Sequence, residues 1–292
     1  MNAFTIKDLE NLSGIKAHTI RIWEQRYSFL SPQRSVTNIR YYSNDELQKV
    51  LNIALLNKHG FRISQIDKMS ATEINEKILA LSEVNAQNER LVNDLIYRMA
   101  NVDIDMFEQM LDDYIKSKGI EKAITQILFP FLERIGILWV TNHINPAQEH
   151  LVSNLIRQKL IVGIDSTKTP THSNKSALLF LPEGEHHELG LLFIHYLLKR
   201  QGVHVLYLGT NVPVKDVESV VSLKNPDFLY AHLTSVANNF SFEKFLVTVS
   251  GRMPGRPVIV SGLLTQTYKK KIPHGFHFKK SLAEVMEYVS SL

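Results

Sequence analysis

Two histidines and three glutamates fall within the nine residues 182–190, which read Pro-Glu-Gly-Glu-His-His-Glu-Leu-Gly. A neutral imidazole is a common metal ligand, and a carboxylate on its second ring nitrogen fixes the tautomer and raises the basicity of the first. The stretch directly follows an apolar run, so it stands at the end of a predicted strand. A plainer interpretation is that these are exposed residues at a helix start, where acidic side chains suit the helix dipole.

The composition excludes several kinds of chemistry. The chain has 292 residues and no cysteine, which rules out disulfides, thiolate metal sites, iron–sulfur clusters and cysteine nucleophiles. We find no convincing nucleophile–base set and no phosphate-binding loop, so the sequence predicts a protein that is not an enzyme. No apolar run approaches the roughly 18 residues of a membrane span, and residues 1–8 carry no export signal. The expected location is the cytoplasm, away from membranes.

The stretch at 182–190 belongs to a segment in which strands and helices alternate. Short apolar runs fall at 177–181, 203–208, 228–233, 258–261 and 276–278, and helix-length segments fall at 188–201, 214–223, 240–251, 265–271 and 281–292. This alternation predicts an α/β domain over residues 175–292, a Rossmann-like (flavodoxin-like) doubly wound parallel sheet. Ligands of such sheets bind beyond the carboxyl ends of the strands, and the stretch at 182–190 falls at one of those ends.

The middle of the chain is predicted to be helical. Apolar residues recur at helical spacing through residues 73–166 and indicate several amphipathic helices. Several such helices in about 95 residues are typical of a helical bundle. The polar, proline-containing stretch at 166–174 predicts a linker to the α/β domain. The chain is therefore expected to be multidomain, with α and α/β parts.

Residues 1–72 are predicted to form a winged helix-turn-helix domain. A helix that begins near Thr5, a break at Gly14 and a second helix with polar side chains give this layout, in which the second helix enters the major groove of DNA. Residues 1–70 hold ten Lys or Arg and six Asp or Glu, whereas 71–292 hold 23 of each. All the excess positive charge thus lies in the first quarter of the chain. This asymmetry suits nucleic-acid binding, although chance variation in surface charge could also produce it.

The candidate DNA contacts are the polar, basic and aromatic residues of this domain. Those at the start of the second helix are placed to reach base edges. The later arginines would meet phosphates, and two adjacent tyrosines would pack on sugar and phosphate in the wing. In chain order, the candidates are Lys16, His18, Thr19, Arg21, Arg26, Arg34, Arg40, Tyr41 and Tyr42.

Three short runs in this domain form a recognisable pattern. They are Thr-Ile-Arg-Ile-Trp-Glu at 19–24, Pro-Gln-Arg at 32–34 and Arg-Tyr-Tyr at 40–42. In order and spacing they resemble the DNA-binding domain of MerR-family regulators, whose pattern is Thr-Leu-Arg-x-(Tyr/Trp)-Glu, then Pro-x-Arg, then Arg-x-Tyr. The resemblance covers nearly 70 residues and implies a double-stranded DNA operator as the partner.

The run from Glu185 to Gly190 resembles the cobalamin-binding signature Asp-x-His-x-x-Gly. The resemblance implies that His187 is the lower axial ligand of cobalt, that Glu185 orients its ring, and that Gly190 lets the chain pass close to the corrin. Glu185 stands where the family usually has Asp, and its extra methylene predicts a weaker or indirect hydrogen bond. The neighbours His186 and Glu188 permit a shifted register, but only His187 keeps the spacing to the glycine.

Two further elements of the cobalamin pattern are partial. The family has a Ser-x-Leu near the third strand and a Gly-Gly near the fourth. Thr-Ser-Val at 234–236 and Ser-Gly-Leu at 261–263 stand in those places here. The matches are Ser235 and Gly262, and the resemblance implies that small residues there leave room for the nucleotide tail of the cofactor.

The helical segment carries Trp139 and, after nine residues, Glu149-His150. This spacing is similar to a motif of the light-sensing, cobalamin-dependent MerR repressors of the CarH type, whose four-helix bundle covers the upper face of the cofactor. The resemblance implies that Trp139 packs over the adenosyl group and that Glu149 and His150 contact that group or the corrin edge. Val140 stands where some relatives have a histidine that can bind cobalt after photolysis. His143 and His150 are possible substitutes.

The resemblance covers essentially the whole chain and leads to a first hypothesis. The chain would be a transcriptional regulator, a repressor, that senses adenosylcobalamin or another cobalamin together with light. In the dark the cofactor would favour a homo-oligomer, a dimer or tetramer, that grips DNA. Light would break the cobalt–carbon bond and release the DNA.

Two other hypotheses remain open. The chain could be a regulator of the same architecture that has lost cobalamin and responds to another ligand or to a protein partner. It could also be a corrinoid carrier for methyl transfer, because a helical cap and a cobalamin fold are that module's layout as well. The DNA-binding domain argues against the methyl carrier.

Overall fold

The computed structural model describes residues 4–35, 38–140, 145–168, 173–234 and 240–292, with residues 137–140 described by their backbone alone. The chain divides into two compact units, Met1–Leu155 and Ile156–Leu292. Helices and a two-stranded sheet make up the first unit, and the second contains a five-stranded sheet. In the part of the chain that is described, no helix combines the length and the apolar character that crossing a bilayer requires.

The first unit opens with two helices joined by a tight turn. Helix α1 (Ile6–Ser13) begins at a capping box, in which the Thr5 hydroxyl accepts from the Asp8 amide and the Asp8 carboxylate accepts from the Thr5 amide at 2.7 Å. The helix ends at Gly14, whose φ of +74° is a left-handed conformation that glycine adopts without strain. Helix α2 (Ala17–Arg26) follows. The predicted helix-turn-helix is confirmed.

A short hairpin forms the wing. Strands β1 (Gln33–Arg34) and β2 (Arg40–Tyr41) pair antiparallel, and the chain continues into helices α3 (Asn44–Lys58) and α4 (Ile63–Ile66). A buried apolar cluster joins the helices, comprising Trp23, Ile53, Leu55, Leu56, Ile66 and Ile78. The small sheet is too short to be stable alone, and contacts of Arg40 and Tyr42 with Glu24 tie it to α2.

The rest of the first unit is helical. Its elements are α5 (Ala71–Leu79), α6 (Val84–Ala100), α7 (Ile104–Lys118), α8 (Ile120–Ala123), a π-helical turn (Ile124–Leu128), α9 (Phe129–Val140) and α10 (Pro146–Ser166), the last of which runs on into the second unit. The rings of Phe107 and Phe131 pack edge to face at 5.4 Å in the core of these helices. Pro130 lies inside a continuous helical segment, two residues after the π-helical turn, where the regular hydrogen-bond pattern is already interrupted and a missing amide hydrogen is tolerated.

The second unit alternates strands and helices. In chain order these are β3 (Ser176–Pro182), α11 (Leu189–Arg200), β4 (His204–Val212), α12 (Val214–Lys224), β5 (Phe228–His232), α13 (Phe242–Arg252), β6 (Val258–Ser261), α14 (Leu263–Thr267), β7 (Phe276–Lys279) and α15 (Leu282–Ser290). The strands are all parallel, in the order β4-β3-β5-β6-β7. This is the flavodoxin-like order, and its switch point lies between β3 and β5.

Helices cover both faces of this sheet. Helices α11 and α15 contact each other, as do α12 and α13. All but one residue of β3 and all but one of β5 are buried, as expected of central parallel strands between two helical layers. One core cluster joins the sheet to α12 and α13 through residues such as Phe180, Val217 and Phe245.

The predicted fold class is confirmed, with two local differences. A strand is predicted over 203–208, but β4 spans His204–Val212. A helix is predicted over 265–271, but α14 spans Leu263–Thr267 and the backbone becomes extended at Tyr268. Three consecutive lysines follow at 269–271, and their mutual repulsion disfavours another helical turn there. The domain boundaries at 72, 166 and 175 stay predictions.

Candidate functional site

The loop after β3 is held in place by backbone contacts. Gly184 has a φ of +84°, and its amide donates to Asn211 Oδ1 at 3.0 Å. The Asn211 amide in turn donates to the Glu185 carbonyl at 3.2 Å, and the Glu185 amide donates to the Pro182 carbonyl at 3.0 Å. These bonds tie the loop to the end of β4, so its side chains are presented at the carboxyl edge of the sheet.

Glu185 is the buried anchor of the loop. Its side chain is fully buried, and Oε1 accepts hydrogen bonds from the amides of His186 and His187, both at 2.9 Å. The same oxygen lies 2.7 Å from His187 Nδ1. The other oxygen, Oε2, accepts from the Thr234 amide at 2.9 Å. Because Thr234 follows β5, the carboxylate spans the carboxyl ends of β3 and β5, at the switch point where such sheets bind ligands.

The electrostatics of the pair set the histidine tautomer. Burial favours the neutral form of Glu185, but hydrogen bonds from the His187 ring and amide and from the Thr234 amide outweigh it, so the pKa of Glu185 is lowered. The ionised carboxylate accepts from Nδ1, which leaves Nε2 as the ring nitrogen that can carry a metal ion. The His187 side chain is 41% exposed. The chemistry of the pair therefore fits a metal-binding histidine.

The predicted weakening of the Glu185 hydrogen bond is not found. The bond to His187 Nδ1 is direct and, at 2.7 Å, is in the range of a charge-assisted bond. Glutamate is accommodated because its longer side chain also reaches the Thr234 amide.

The adjacent Glu188 is engaged elsewhere. It accepts from the Tyr207 hydroxyl at 2.8 Å through Oε1, and its Oε2 lies 3.0 Å from Arg157 Nε. Burial, followed by the hydrogen bond to Glu188, raises the pKa of Tyr207. His186 is exposed. The geometry therefore supports the register in which Glu185 and His187 form the pair.

A buried polar chain that the sequence analysis missed lies behind this loop. Ser261 Oγ lies 2.9 Å from both the Tyr230 hydroxyl and His232 Nδ1. Burial lowers the pKa of His232 to about 4, so the ring is neutral at pH 7. A Cβ at Gly190 would lie 2.3 Å from His232 Nε2. The glycine is thus required by the histidine ring, and its role toward a corrin stays a prediction.

Gly262 is required for a related reason. Its φ is +96°, and a Cβ there would lie 2.3 Å from the Leu233 carbonyl oxygen. The chain after β6 therefore passes directly against the chain after β5. Whether this approach leaves room for a nucleotide tail stays a prediction, and Ser235 lies outside the described residues.

The residues expected above the cofactor are only partly described. Trp139 and Val140 belong to α9, but their side chains, like His143, lie outside the described part. Glu149 and His150 lie in the first turns of α10, where His150 Nδ1 is 3.0 Å from Glu149 Oε2 and the His150 side chain is 68% exposed. His150 is therefore accessible from solvent, and Glu149, with 27% of its side chain exposed, is accessible in part.

The start of α2 presents an exposed polar surface. Lys16, His18, Arg21 and Arg26 are exposed, and Thr19 is half-buried. Lys16 Nζ pairs with a Glu10 oxygen at 3.4 Å, and the lysine side chain is 73% exposed, so it can exchange this contact for another. The exposure of these side chains leaves them accessible to a partner, and their contacts with DNA stay a prediction.

The wing fits the predicted contacts less uniformly. Arg34 is exposed and donates to Asn38 Oδ1 at 2.7 Å, and the Tyr41 hydroxyl donates to Gln33 Oε1 at 2.7 Å. Arg40 is half-buried, with its Nε 3.0 Å from a Glu24 oxygen.

Tyr42 requires a correction. Its side chain is fully buried, its backbone bridges Phe4, and its hydroxyl donates to Glu24. Burial and the Glu24 carboxylate raise its pKa. It serves the domain core, so the predicted packing on sugar and phosphate does not fit this structure. The sequence does not predict the burial of Tyr42, because either of the two adjacent tyrosines could face the core.

Comparisons with known proteins agree with this arrangement. The MerR HTH family of regulatory proteins matches residues 4–73, and the B12 binding domain family matches residues 91–162, which span most of α6 to α10. The chain is 29% identical over 269 residues to the HTH-type transcriptional repressor CarA of Myxococcus xanthus, covering 91% of this chain and 89% of that protein. It is 27% identical over 274 residues to CarH of the same organism, covering 91% of each.

A solved structure shares the fold. The monomethylamine corrinoid protein of Methanosarcina barkeri superposes with a TM-score of 0.58 at 14% identity, covering 70% of this chain and all of that one. At this identity the likeness extends to the fold alone.

Proposed function

We propose that the chain is a MerR-type regulator with a B12-binding domain, a transcriptional repressor whose DNA binding is controlled by adenosylcobalamin. The family matches over residues 4–73 and 91–162 and the likeness to two repressors along most of the chain support this. The observation that carries the proposal is the Glu185–His187 pair at the carboxyl edge of the parallel sheet. A buried carboxylate that orients a partly exposed imidazole is the arrangement a metal-binding histidine needs.

Each part of the chain has its own proposed task. Residues 1–72 bind double-stranded DNA, residues 73–166 form a four-helix-bundle cap for the cofactor, and residues 175–292 supply the lower ligand of cobalt. The B12 binding domain match over 91–162 supports the second assignment. The exposed residues on α2 support the first.

His187 would hold cobalt through Nε2, with Glu185 fixing the ring by its bond to Nδ1. Glu185 also ties the loop to the chain after β5 through the Thr234 amide. This contact limits the movement of His187. When bound, adenosylcobalamin supplies a cobalt–carbon bond that light can cleave. We propose light as the signal on the resemblance to the CarH-type repressors.

The residues proposed to contact the adenosyl group or the corrin edge are Trp139, Glu149 and His150. A broad indole can shield a reactive bond from solvent, and a carboxylate can accept hydrogen bonds from ribose hydroxyls. Ser235 and Gly262 are proposed to border the nucleotide tail.

On the DNA side, Lys16, His18, Thr19 and Arg21 are proposed to reach base edges and nearby phosphates from α2. Arg26, Arg34, Arg40 and Tyr41 are proposed to contact the backbone. The cofactor-bound state is proposed to be a homo-oligomer, because two or more domains on repeated DNA elements bind more tightly than one.

Dark gel filtration of the full chain with adenosylcobalamin, followed by visible absorbance, tests this proposal. We expect the cofactor to elute with the protein at a larger size than the apoprotein has, and the size to fall after illumination. The control is the same protein mixed with cobalamin that was illuminated beforehand. If no cobalamin elutes with micromolar protein, the cobalamin assignment is wrong, and a DNA-binding regulator with another signal remains.

A further inference from the structure

A guanidinium joins the helical segment to the helix-turn-helix. Arg134 lies on α9, and its Nη2 donates to the carbonyl of Leu12, in the last turn of α1. Its Nη1 donates to Asn93 Oδ1 at 2.7 Å, and Asn93 is a buried residue of α6. One side chain thus connects three helices of the first unit.

The contact falls where α1 needs a cation. The last carbonyls of a helix have no partner within the helix, and they carry the negative end of its dipole. The Ser13 hydroxyl donates to the Leu9 carbonyl at 2.5 Å, and the Gly14 amide donates to the Glu10 carbonyl at 2.9 Å. Helix α1 has no basic residue in its last turn. Arg134 therefore supplies, from another helix, the positive charge that caps α1.

The cap lies directly before the turn that sets the direction of α2. Leu12 is followed by Ser13 and Gly14, and α2 begins at Ala17. A shift at the end of α1 therefore changes the angle at which the recognition helix leaves the turn. The groove contacts of a helix-turn-helix depend on that angle, because the second helix must lie in the groove while the first crosses the backbone.

The positive charge of Arg134 also has no carboxylate as a hydrogen-bond partner among the described residues. Burial lowers the pKa of Arg134 to about 10, and the charge of Glu89 opposes this shift. The two groups that accept its hydrogen bonds, the Leu12 carbonyl and the Asn93 side-chain amide, are both neutral. Losing either bond would leave a partly buried charge without an acceptor, which is costly, so the guanidinium should keep both contacts and move with the helices that carry them.

There is space for such a movement. Arg134 lines an open cavity of about 820 Å³ whose walls include Gly14, Ile15, Asn88 and Pro130. The cavity borders both the turn before α2 and the first residues of α9. The Arg134 side chain and the turn before α2 therefore have open space beside them, whereas the Phe131 side chain of α9 stays buried in the core.

We propose that Arg134 is a positioning residue through which the state of the cobalamin-binding helices sets the orientation of the recognition helix. The inference rests on the proposed function, since Trp139 lies five residues further along α9, about 7.5 Å by helical rise. Movement at the cofactor end of α9 is transmitted to Arg134 and from there to the Leu12 carbonyl.

The test compares the full-length variants Arg134→Met, Arg134→Lys and Arg90→Met. Arg90 is a matched control, because it lies on α6 and pairs with Asp94 of the same helix at 3.6 Å. Hydrogen exchange is measured for residues 9–20, with α7 as an internal reference. DNA affinity is measured on a labelled duplex enriched from a random pool by the wild-type protein, and cobalamin binding by absorbance.

For Arg134→Met we expect exchange over residues 9–20 to rise and DNA affinity to fall, each by about tenfold. Cobalamin should still bind, but it should no longer change exchange over residues 9–20. Arg134→Lys keeps the charge but cannot make both hydrogen bonds in the same way. Its exchange over residues 9–20 and its DNA affinity should therefore lie between those of the wild type and Arg134→Met. If Arg134→Met behaves as Arg90→Met does, with and without adenosylcobalamin, the inference is wrong.

Two further outcomes remain decisive. If exchange in α7 also rises in Arg134→Met, that variant has unfolded, and Arg134→Lys is compared with Arg90→Met by the same criteria. If the wild-type chain binds no cobalamin, the proposed function fails, as does the cofactor part of the inference. Exchange and DNA affinity of the apoprotein then decide whether Arg134 positions α2.

Discussion

Glu185 Oε1 lies 2.7 Å from His187 Nδ1, and the same carboxylate reaches the Thr234 amide at 2.9 Å through its other oxygen. One buried side chain thus fixes both the tautomer of the histidine and the place of its loop between two strand ends. The longer reach of glutamate, compared with aspartate, makes the second contact possible.

Replacing His187 should remove the lower ligand. We expect His187→Ala to weaken adenosylcobalamin binding by about tenfold or more and to abolish the absorbance features of imidazole coordination to cobalt. His186→Ala, at the exposed neighbouring position, is the control and should bind as the wild type does. Equal affinity and spectra for all three proteins would contradict the assignment of His187.

Replacing Glu185 should affect the same binding through the histidine. Glu185→Gln removes the charge that holds Nδ1 and presents an amide to the backbone donors. Cobalamin affinity should fall by about 10–100-fold, as is usual for the partner of a metal-binding histidine. Glu185→Asp keeps the charge but shortens the side chain. Its cobalamin affinity, measured by absorbance titration, should lie between those of the wild type and Glu185→Gln. An unchanged affinity for Glu185→Gln would show that the pair does not orient the ligand.

Gly190→Ala should strain the site from behind. The new Cβ would lie 2.3 Å from His232 Nε2, and overpacking of this kind costs about 1–3 kcal/mol. The double variant Gly190→Ala, His232→Ala makes room and should recover stability relative to the sum of the single changes. Native-state hydrogen exchange of β5 measures both effects. Additive effects of the two changes would count against the close packing of glycine and histidine.

The sequence predicts the alternation of the second unit well, because each strand is a short apolar run and each helix has its own period. Glu185 and His187 can be found because they are two residues apart and their chemistry is local. His232 and Ser261 cannot be found in this way. They meet only because β5 and β6 are neighbours in the sheet, and the amino-acid sequence does not show which strands pair.

Burial of single polar residues is the other part that could not be predicted. Tyr41 and Tyr42 look alike in the sequence, yet Tyr42 is buried through its bridge to Phe4, 38 positions earlier. Arg134 sits in a helical pattern as an ordinary charged position. Its contact with Leu12 depends on how α9 packs against α1, which no local period encodes.

Acid should destabilise the second unit through His195. Burial, and then the charge of Lys199, lower its pKa to about 4, and its ring stacks on Tyr207 at 5.2 Å. The unfolded chain binds this proton near pH 6.5, so stability is lost as pH falls from about 6.5 to 4, by about 1.4 kcal/mol per unit of pKa difference at most. His195→Phe keeps the stacking and removes the titration.

Hydrogen exchange of α11 between pH 7 and 4 measures this loss, after correction for the intrinsic pH dependence of exchange. The wild type should lose protection relative to His195→Phe as pH falls, and the two should run parallel above pH 6.5. A constant difference in protection over the whole range would mean that the pKa of His195 is the same in the folded and the unfolded chain, and this would contradict the prediction.

Control of DNA binding by the cofactor is the central claim, and one measurement tests it most directly. The affinity of the full chain for the enriched duplex is measured by fluorescence anisotropy in the dark, with and without adenosylcobalamin, and again after illumination. The account predicts that adenosylcobalamin raises the affinity by about tenfold or more in the dark and that light reverses the gain. An affinity that is the same in all three conditions would contradict it.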